Sequence, residues 1–267
     1  MRQPDGFFCR HITIGRKFSC FSIILFTFAA HFFDISKIEI YNLKQINKKM
    51  IKVVAVHTAM ALVEPLTKIF KEYLPEVKLN HIADDSLIQE VIANNEVTPA
   101  VRRRLLSHYV AAADAGAQVV FNTCSSVGDV ADYGNIYAPI PVFRIDQPMA
   151  QKAVTTANRI GVISTLPTTL DPTCRLLRNE AAKAGRDVTL VEGLADGAFA
   201  AGQSGDGETH DRLIAEAAAR IASQVDMFVL AQGSMARMEQ RLSELTGKPV
   251  LSSPVLGVQG LRKFLGI

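Results

Sequence analysis

Short runs rich in β-branched residues alternate with longer Ala- and Leu-rich segments of helical period from residue 50 to the end of the chain. This alternation is typical of βα units that build parallel sheets. Two helices are expected to begin with a cap and a proline, at Thr98-Pro99 and at Asp171-Pro172. The pattern predicts strands at 52–56, 78–82, 119–122, 142–143, 160–164, 188–191, 227–230 and 250–251, and helices at 65–73, 86–94, 99–115, 126–133, 147–156, 172–184, 208–223, 235–246 and 254–265.

The second set of elements repeats the first at a shift of about 107 residues. The segment VVAVHTAMALVEP at 53–65 aligns with IGVISTLPTTLDP at 160–172, so Thr58 falls on Thr165. The repeat predicts an α/β fold of two pseudo-symmetric lobes, each with a parallel sheet flanked by helices. Because the carboxyl ends of parallel strands are natural binding edges, we expect the active site in the cleft between the lobes.

The division into lobes follows from the repeat and from a change of composition at Met50. We expect residues 50–147 plus 253–267 to form the first lobe and residues 148–252 the second. Residues 1–49 have a different composition, and their apolar run at 18–33 is shorter than the roughly 20 residues that a membrane span needs. Our hypothesis is that translation starts at Met50 and that residues 1–49 are a non-native or disordered extension. Residues 50–267 then carry no membrane segment.

Composition and charge exclude several classes of partner. A chain of 267 residues with 48% apolar content can bury a full core, and its net charge of +3 is scattered, which argues against a nucleic-acid partner. The four cysteines form no CxxC pair, and no histidines cluster at metal-ligand spacing. They indicate free thiols in a reducing compartment, the cytoplasm, with no metal site. The sequence leaves room for a homo-oligomer.

The segment around Cys124 carries the sharpest chemical signal. It follows an apolar strand directly and precedes a helix, where the dipole and unpaired N–H groups lower the pKa of a thiol. The same N–H groups and the neighbouring hydroxyls can bind a carboxylate or an enolate oxygen. The alternative is a buried cysteine that packs as a small hydrophobe beside serines that cap the helix. The candidate substrate contacts in this segment are Asn122, Thr123, Ser125 and Ser126.

Four motifs taken together resemble one known family. They are NTCSS at 122–126, RIGVI at 159–163 followed by Thr165 and TTL at 168–170, DMFVL at 226–230 and PVLSSP at 249–254. With these motifs, residues 50–267 resemble the aspartate/glutamate/hydantoin racemase superfamily, which also includes maleate isomerases and arylmalonate decarboxylases. The resemblance implies a cofactor-independent isomerase that acts at the carbon α to the carboxylate of a small amino acid or related acid.

The resemblance also implies one cysteine in each lobe, acting as opposed acid and base. Cys124 matches the first of them, but the repeat places Gln232 where the second is expected. Because glutamine does not titrate, it cannot replace a thiol as an acid or base. Gln232, Gly233 and Ser234 are therefore candidates for orienting a polar substrate. Two alternatives stay open: a single-cysteine decarboxylase or cis-trans isomerase of a small dicarboxylate, and a non-catalytic binding protein for small acids.

Further candidates lie at other strand ends. His57 is either the missing second base or a hydrogen-bonded fixture, and Asp84 either orients a substrate or helps to cap the next helix. We interpret Cys174, in a predicted first helical turn, and Arg144 as structural. We interpret 193–207 as a mobile loop, followed by a surface or capping residue, His210. The remaining candidate substrate contacts are Thr58, Thr165, Thr168 and Thr169.

Overall fold

The computed structural model describes residues 50–267, and the prediction for residues 1–49 lies outside them. Its strands are β1 (Ile51–His57), β2 (Val77–Ala83), β3 (Val119–Asn122), β4 (Val142–Arg144), β5 (Arg159–Ser164), β6 (Thr189–Leu194), β7 (Met227–Leu230) and β8 (Val250–Leu251). They form two four-stranded parallel sheets, with strand orders β2-β1-β3-β4 and β6-β5-β7-β8. One central strand of each sheet, β3 or β7, is mostly apolar and buried along its whole length, as expected for a parallel strand covered on both faces.

Helices flank both sheets, so the predicted two-lobed α/β fold is confirmed. Short 3₁₀ helices at Met60–Leu62, Ser125–Val127 and Gly233–Met238 follow the ends of β1, β3 and β7. The α-helices of the described chain are α1 (Val63–Tyr73), α2 (Ser86–Asn94), α3 (Pro99–Asp114), α4 (Gly128–Tyr137), α5 (Gln147–Thr156), α6 (Pro167–Lys183), α7 (Ala198–Gln203), α8 (Gly207–Ile221), α9 (Glu239–Thr246) and α10 (Ser253–Leu265).

The repeat is visible in backbone hydrogen bonds as well as in strand order. The N–H of Thr123 donates to the carbonyl of Val56 at 3.2 Å in the first lobe. The N–H of Ala231 donates to the carbonyl of Ile163 at 2.9 Å in the second. These pairs occupy equivalent positions of the repeat, so both central strands end at the same height in their sheets. The turns that follow β3 and β7 are therefore matched.

Two helix predictions are wrong. Helix α6 begins at Pro167 after an extended Leu166, so Asp171-Pro172 lies inside the helix and does not cap it. Proline fits the first turn at Pro167 equally well, and that earlier signal prevails. Cys174 therefore does not lie in a first turn. The predicted loop at 193–207 contains helix α7, because Ala-rich sequence favours helix between two glycines of positive φ, Gly197 and Gly205.

The C-terminal helix packs on the first sheet. Val258 and Leu261 of α10 share a buried cluster with Val53 and Phe121 of β1 and β3. This packing supports the proposed assignment of residues 253–267 to the first lobe. Within residues 50–267, no helix combines the length and apolarity that a bilayer crossing requires.

Candidate active site

A cavity of about 560 Å³ lies between the lobes and is lined by residues from both. Most of its polar lining comes from the turns that follow the carboxyl ends of β1, β3, β5 and β7. Those turns are brought together because parallel strands all end at the same edge of a sheet. The predicted site residues that line the cavity are Thr58, Thr123, Cys124, Ser125, Ser126, Thr165, Thr169, Gln232, Gly233 and Ser234.

Cys124 is half-buried and immediately precedes the 3₁₀ helix Ser125–Val127, with extended backbone angles. Burial raises the pKa of its thiol, against the opposing hydrogen bonds from the Thr58 side chain and from the backbone at Val127 and Ser126. The predicted lowering of this pKa is wrong, because loss of water outweighs the local donors. The thiol is consequently protonated at neutral pH, while donors for a thiolate already surround the sulfur.

Gln232 occupies the matching position in the second lobe. Its backbone angles, φ −117° and ψ 133°, resemble those of Cys124, φ −115° and ψ 118°. Gln232 Oε1 accepts from the Thr165 N–H at 2.8 Å, and Gln232 Nε2 donates to Thr165 Oγ1 at 2.6 Å. Thr165 thus holds Gln232 as Thr58 holds Cys124. One N–H of the carboxamide finds no partner in the described part of the chain.

Direct contacts between residues that line the cavity join the two lobes. Ser126 Oγ and Thr169 Oγ1 lie 2.7 Å apart in a buried hydrogen bond between the first and second lobes. Gly233 approaches Leu62 so closely that an added Cβ would lie 3.1 Å from Leu62 Cδ2. The lining also includes apolar residues, among them Pro65, Ile69, Ile88 and Phe199. The cavity therefore offers both hydrogen-bond donors and apolar surface.

Residues 51–261 match the model of the family described as Asp/Glu/Hydantoin racemase. The chain belongs to the Asp/Glu/hydantoin racemase family. The racemases of this family are cofactor-independent isomerases, and the family binds small carboxylate substrates, so the protein is an enzyme of the racemase type. A search of curated protein sequences gives no significant match.

Solved structures of racemases share the fold of this family member at low identity. Glutamate racemase from Francisella tularensis subsp. tularensis SCHU S4, in complex with D-glutamate, has a TM-score of 0.67 and 12% identity over 81% of each chain. Allantoin racemase from Klebsiella pneumoniae has a TM-score of 0.61 and 16% identity over 81% of this chain and 88% of its own. An arylmalonate decarboxylase has a TM-score of 0.52 and 12% identity over 80% of this chain and 92% of its own. At these identities the likeness is one of fold.

His57 is not placed to act as the second base of this racemase-family site. It is fully buried outside the cavity lining, with Nε2 2.9 Å from His81 Nδ1 and Nδ1 3.0 Å from Thr123 Oγ1. Burial, together with the nearby His81, lowers the pKa of His57 to about 4. The imidazole is therefore neutral at physiological pH, and its hydrogen bond with Thr123 Oγ1 helps to hold that side chain in place.

Three other predicted contacts lie outside the cavity lining. Asp84 is held by Arg104 and His108, at 2.7 and 2.9 Å, so it ties the connection between β2 and α2 to α3. Asn122 is buried and donates from Nδ2 to the Cys124 carbonyl at 3.2 Å, which shapes the turn. Thr168 Oγ1 is buried without a partner among the described residues. Strand-end position alone did not reveal which side chains turn away from the cleft.

Sequence reasoning missed two residues on the second-lobe side of the cavity. His210 and Arg237 both line the cavity, although the sequence indicated a surface or capping role for His210. Arg237 lies in the turn that begins at Gly233 and pairs with Asp211 at 2.5 Å, while His210 Nδ1 lies 2.8 Å from Asp211 Oδ1. The available signal was the adjacent His-Asp pair at the start of a helix that follows a glycine-rich segment.

Proposed function

We propose that this enzyme inverts the configuration of a carbon α to the carboxylate of a small amino acid or related acid, with Cys124 as acid or base. The observation that carries the proposal is the half-buried Cys124 thiol in the cavity between the lobes, with hydrogen-bond donors around its sulfur. A proton on a carbon next to a carboxylate is removed only if the resulting enolate is stabilised. The same cavity supplies groups for both tasks.

The polar lining of the cavity suits the substrate carboxylate. Two turns of the lining begin after Cys124 and after Gln232, and the first N–H groups of such turns favour anions. The hydroxyl groups that also line the cavity can donate to a developing enolate oxygen. We assign substrate contacts to Thr58, Ser125, Ser126, Thr165, Thr169, Gly233 and Ser234, all of which line the cavity.

The raised pKa of Cys124 decides its role at the start of a cycle. A protonated thiol donates a proton, so in the empty enzyme Cys124 is ready to protonate an enolate. In the opposite direction it takes the α-proton as a thiolate, which the Thr58 hydroxyl and the neighbouring N–H groups stabilise.

Cys124 and Cys174 are free thiols, which fits a reducing compartment, and we place the enzyme in the cytoplasm.

A second candidate function is decarboxylation, in which the enolate forms by loss of carbon dioxide and no base is needed. One observation favours it: Gln232, which does not titrate, occupies the position opposite Cys124. The protonated thiol would then deliver a proton to one face only. A small malonate with an apolar substituent would suit the apolar residues of the lining, which include Ile88 and Phe199.

Product analysis in deuterated water separates these reactions. The enzyme is incubated with the separate enantiomers of aspartate, glutamate and 5-benzylhydantoin and with phenylmalonate, and products are followed by NMR and chiral chromatography. Inversion with α-deuteration supports the proposed racemase, and carbon dioxide release supports the decarboxylase. Cys124→Ala is expected to abolish inversion, whereas Cys174→Ala, which removes a buried thiol outside the cavity, retains it. Inversion at the native rate by Cys124→Ala would refute the proposal.

A further inference from the structure

Inversion of a carbon centre needs a proton-transfer group on each of its faces. Among residues 50–267, the titratable side chains that line the cavity are Cys124, His210 and Arg237. Arginine stays protonated at all relevant pH values and cannot act as a base. Histidine changes charge near neutral pH, which makes it the most common acid-base residue in enzymes. The lining therefore leaves His210 as the candidate partner for Cys124.

The imidazole of His210 is held in place from two sides. It lies in the first turns of α8, in the lobe opposite Cys124, and Nδ1 is 2.8 Å from Asp211 Oδ1. The ring packs on the backbone of Gly202, where an added Cβ would lie 3.0 Å from Cδ2 of the histidine. Nε2 has no hydrogen-bond partner among residues 50–267. One nitrogen is thus anchored and the other is available to a ligand in the cavity.

The anchoring carboxylate is ionised. Burial acts to raise the pKa of Asp211, but hydrogen bonds from His210 and Arg237 outweigh it, so the net pKa lies below the usual value. A carboxylate that accepts from Nδ1–H leaves the lone pair on Nε2. Arg237 Nη2 is also 3.2 Å from Nδ1, but that arginine is itself bound to Asp211 at 2.5 Å. The shorter contact, from Nδ1 to the carboxylate, favours the tautomer with the proton on Nδ1.

We propose that His210 is the second proton-transfer residue and serves the face of the α-carbon opposite to Cys124. This inference rests on the proposed racemase function. Nε2 of the neutral imidazole takes the α-proton, and the electron pair of the C–H bond moves into the enolate. The S–H of Cys124 then delivers its proton to the other face, which leaves an imidazolium and a thiolate. The opposite enantiomer reacts in reverse, and proton exchange with solvent also restores the starting state.

The two residues should then govern opposite enantiomers. In deuterated water, His210 removes the proton of one enantiomer and Cys124 removes that of the other. His210→Gln is expected to slow α-deuteration of the first enantiomer by about 10²-fold or more. Exchange of the second enantiomer should continue, with retention of configuration, at pH values high enough to ionise part of the Cys124 thiol. Cys124→Ala should give the mirror pattern. Because each variant keeps one of the two exchange reactions, that reaction shows that the variant is folded.

His108→Gln is the matched control. His108 also pairs with an aspartate, Asp84, at 2.9 Å, but it lies outside the cavity lining, so its replacement should change neither exchange. The probes are the separate enantiomers of aspartate, glutamate and 5-benzylhydantoin.

Equal exchange of both enantiomers by His210→Gln at native rates, or equal loss of both, would overturn the role of His210. If Cys124→Ala still inverts at the native rate, or the native enzyme exchanges no probe, the proposed function itself fails.

Discussion

The turn at Cys124 and the turn at Gln232 occupy equivalent positions in the two lobes and have similar backbone angles. Each follows a central strand, and each contacts the threonine that follows the first strand of its lobe. They differ in chemistry, because a thiol transfers protons and a carboxamide only forms hydrogen bonds. The comparison shows that the two lobes share the backbone geometry of the turn, while only one of the two turns begins with a titratable group. A different element, α8, then supplies the only histidine that lines the cavity in the described chain.

The largest effect is expected when the two turns are made alike. Gln232→Cys places a thiol on a backbone that already matches that of Cys124. In the double variant His210→Gln/Gln232→Cys, the new thiol should restore inversion by about 10²-fold over His210→Gln alone. Chiral chromatography of the products measures this. No recovery, with the thiol shown to be reduced by mass spectrometry, would mean that the two turns are not functionally equivalent.

The second prediction concerns the strand ends behind the turns, where His57 in the first lobe corresponds to Ser164 in the second. The pKa of His57 is about 4, against about 6.5 in an unfolded chain, so folding disfavours its protonated form. The stabilisation is complete above pH 6.5 and is lost as pH falls towards 4, by about 3 kcal/mol in total. Urea unfolding at several pH values tests this.

The matching variant for that experiment is His57→Ser, which reproduces the second-lobe residue. It should flatten the fall of unfolding free energy between pH 6.5 and 4, whatever its effect on stability at neutral pH. The slope that remains includes His81, whose pKa burial also lowers, and carboxylates such as Asp211, whose pKa lies below its usual value. An unchanged slope would show that His57 does not titrate differently in the folded protein.

Smaller effects should separate the two threonines. Thr58→Val removes a hydrogen bond to the Cys124 sulfur, and a bond to a charged group contributes about 1.5–3 kcal/mol, so inversion should slow by about 10-fold to 100-fold. Thr165→Val removes only the bond from Gln232 Nε2, since the Thr165 N–H still holds Oε1. Its effect should stay below about 10-fold. Steady-state rates of inversion, measured for both variants with the same substrate, show which substitution has the larger effect.

The smallest predicted effect is a shift in the titration of the thiol. Because burial raises the pKa of Cys124, the thiolate fraction grows only at pH values above those for a free cysteine. The rate of labelling by iodoacetamide should therefore rise with pH later than for a cysteine-containing peptide. Thr58→Val should move this profile to still higher pH. A profile below that of the peptide would contradict the assigned protonation state.

Much of the fold followed from the sequence because burial on both faces leaves a clear signal in parallel strands. The runs at Val119–Asn122 and Met227–Leu230 were predicted to the residue. The register of the repeat also paired Cys124 with Gln232 and Thr58 with Thr165, and all four residues line the cavity. The start of α6 was misjudged because Pro167 and Pro172 each fit a first helical turn, and Asp171 is a better cap for Pro172 than Leu166 is for Pro167.

The candidate site was harder to predict because strand-end position does not fix side-chain direction. His57 and Asp84 end strands as expected, yet contacts with His81 and Arg104 turn them away from the cavity. His210 was missed for the opposite reason. It lies on a helix after a glycine-rich segment, and its approach to the cleft depends on the close packing of its ring against Gly202, which local sequence does not encode.

The most direct test of the central claim is to follow alkylation of Cys124 and loss of inversion activity in the same sample. Peptide mapping by mass spectrometry gives the labelled fraction at Cys124, with the buried Cys174 as an internal reference. The two quantities should change together, and activity should reach zero when labelling at Cys124 is complete. Native activity in protein that is fully labelled at Cys124 would contradict the account.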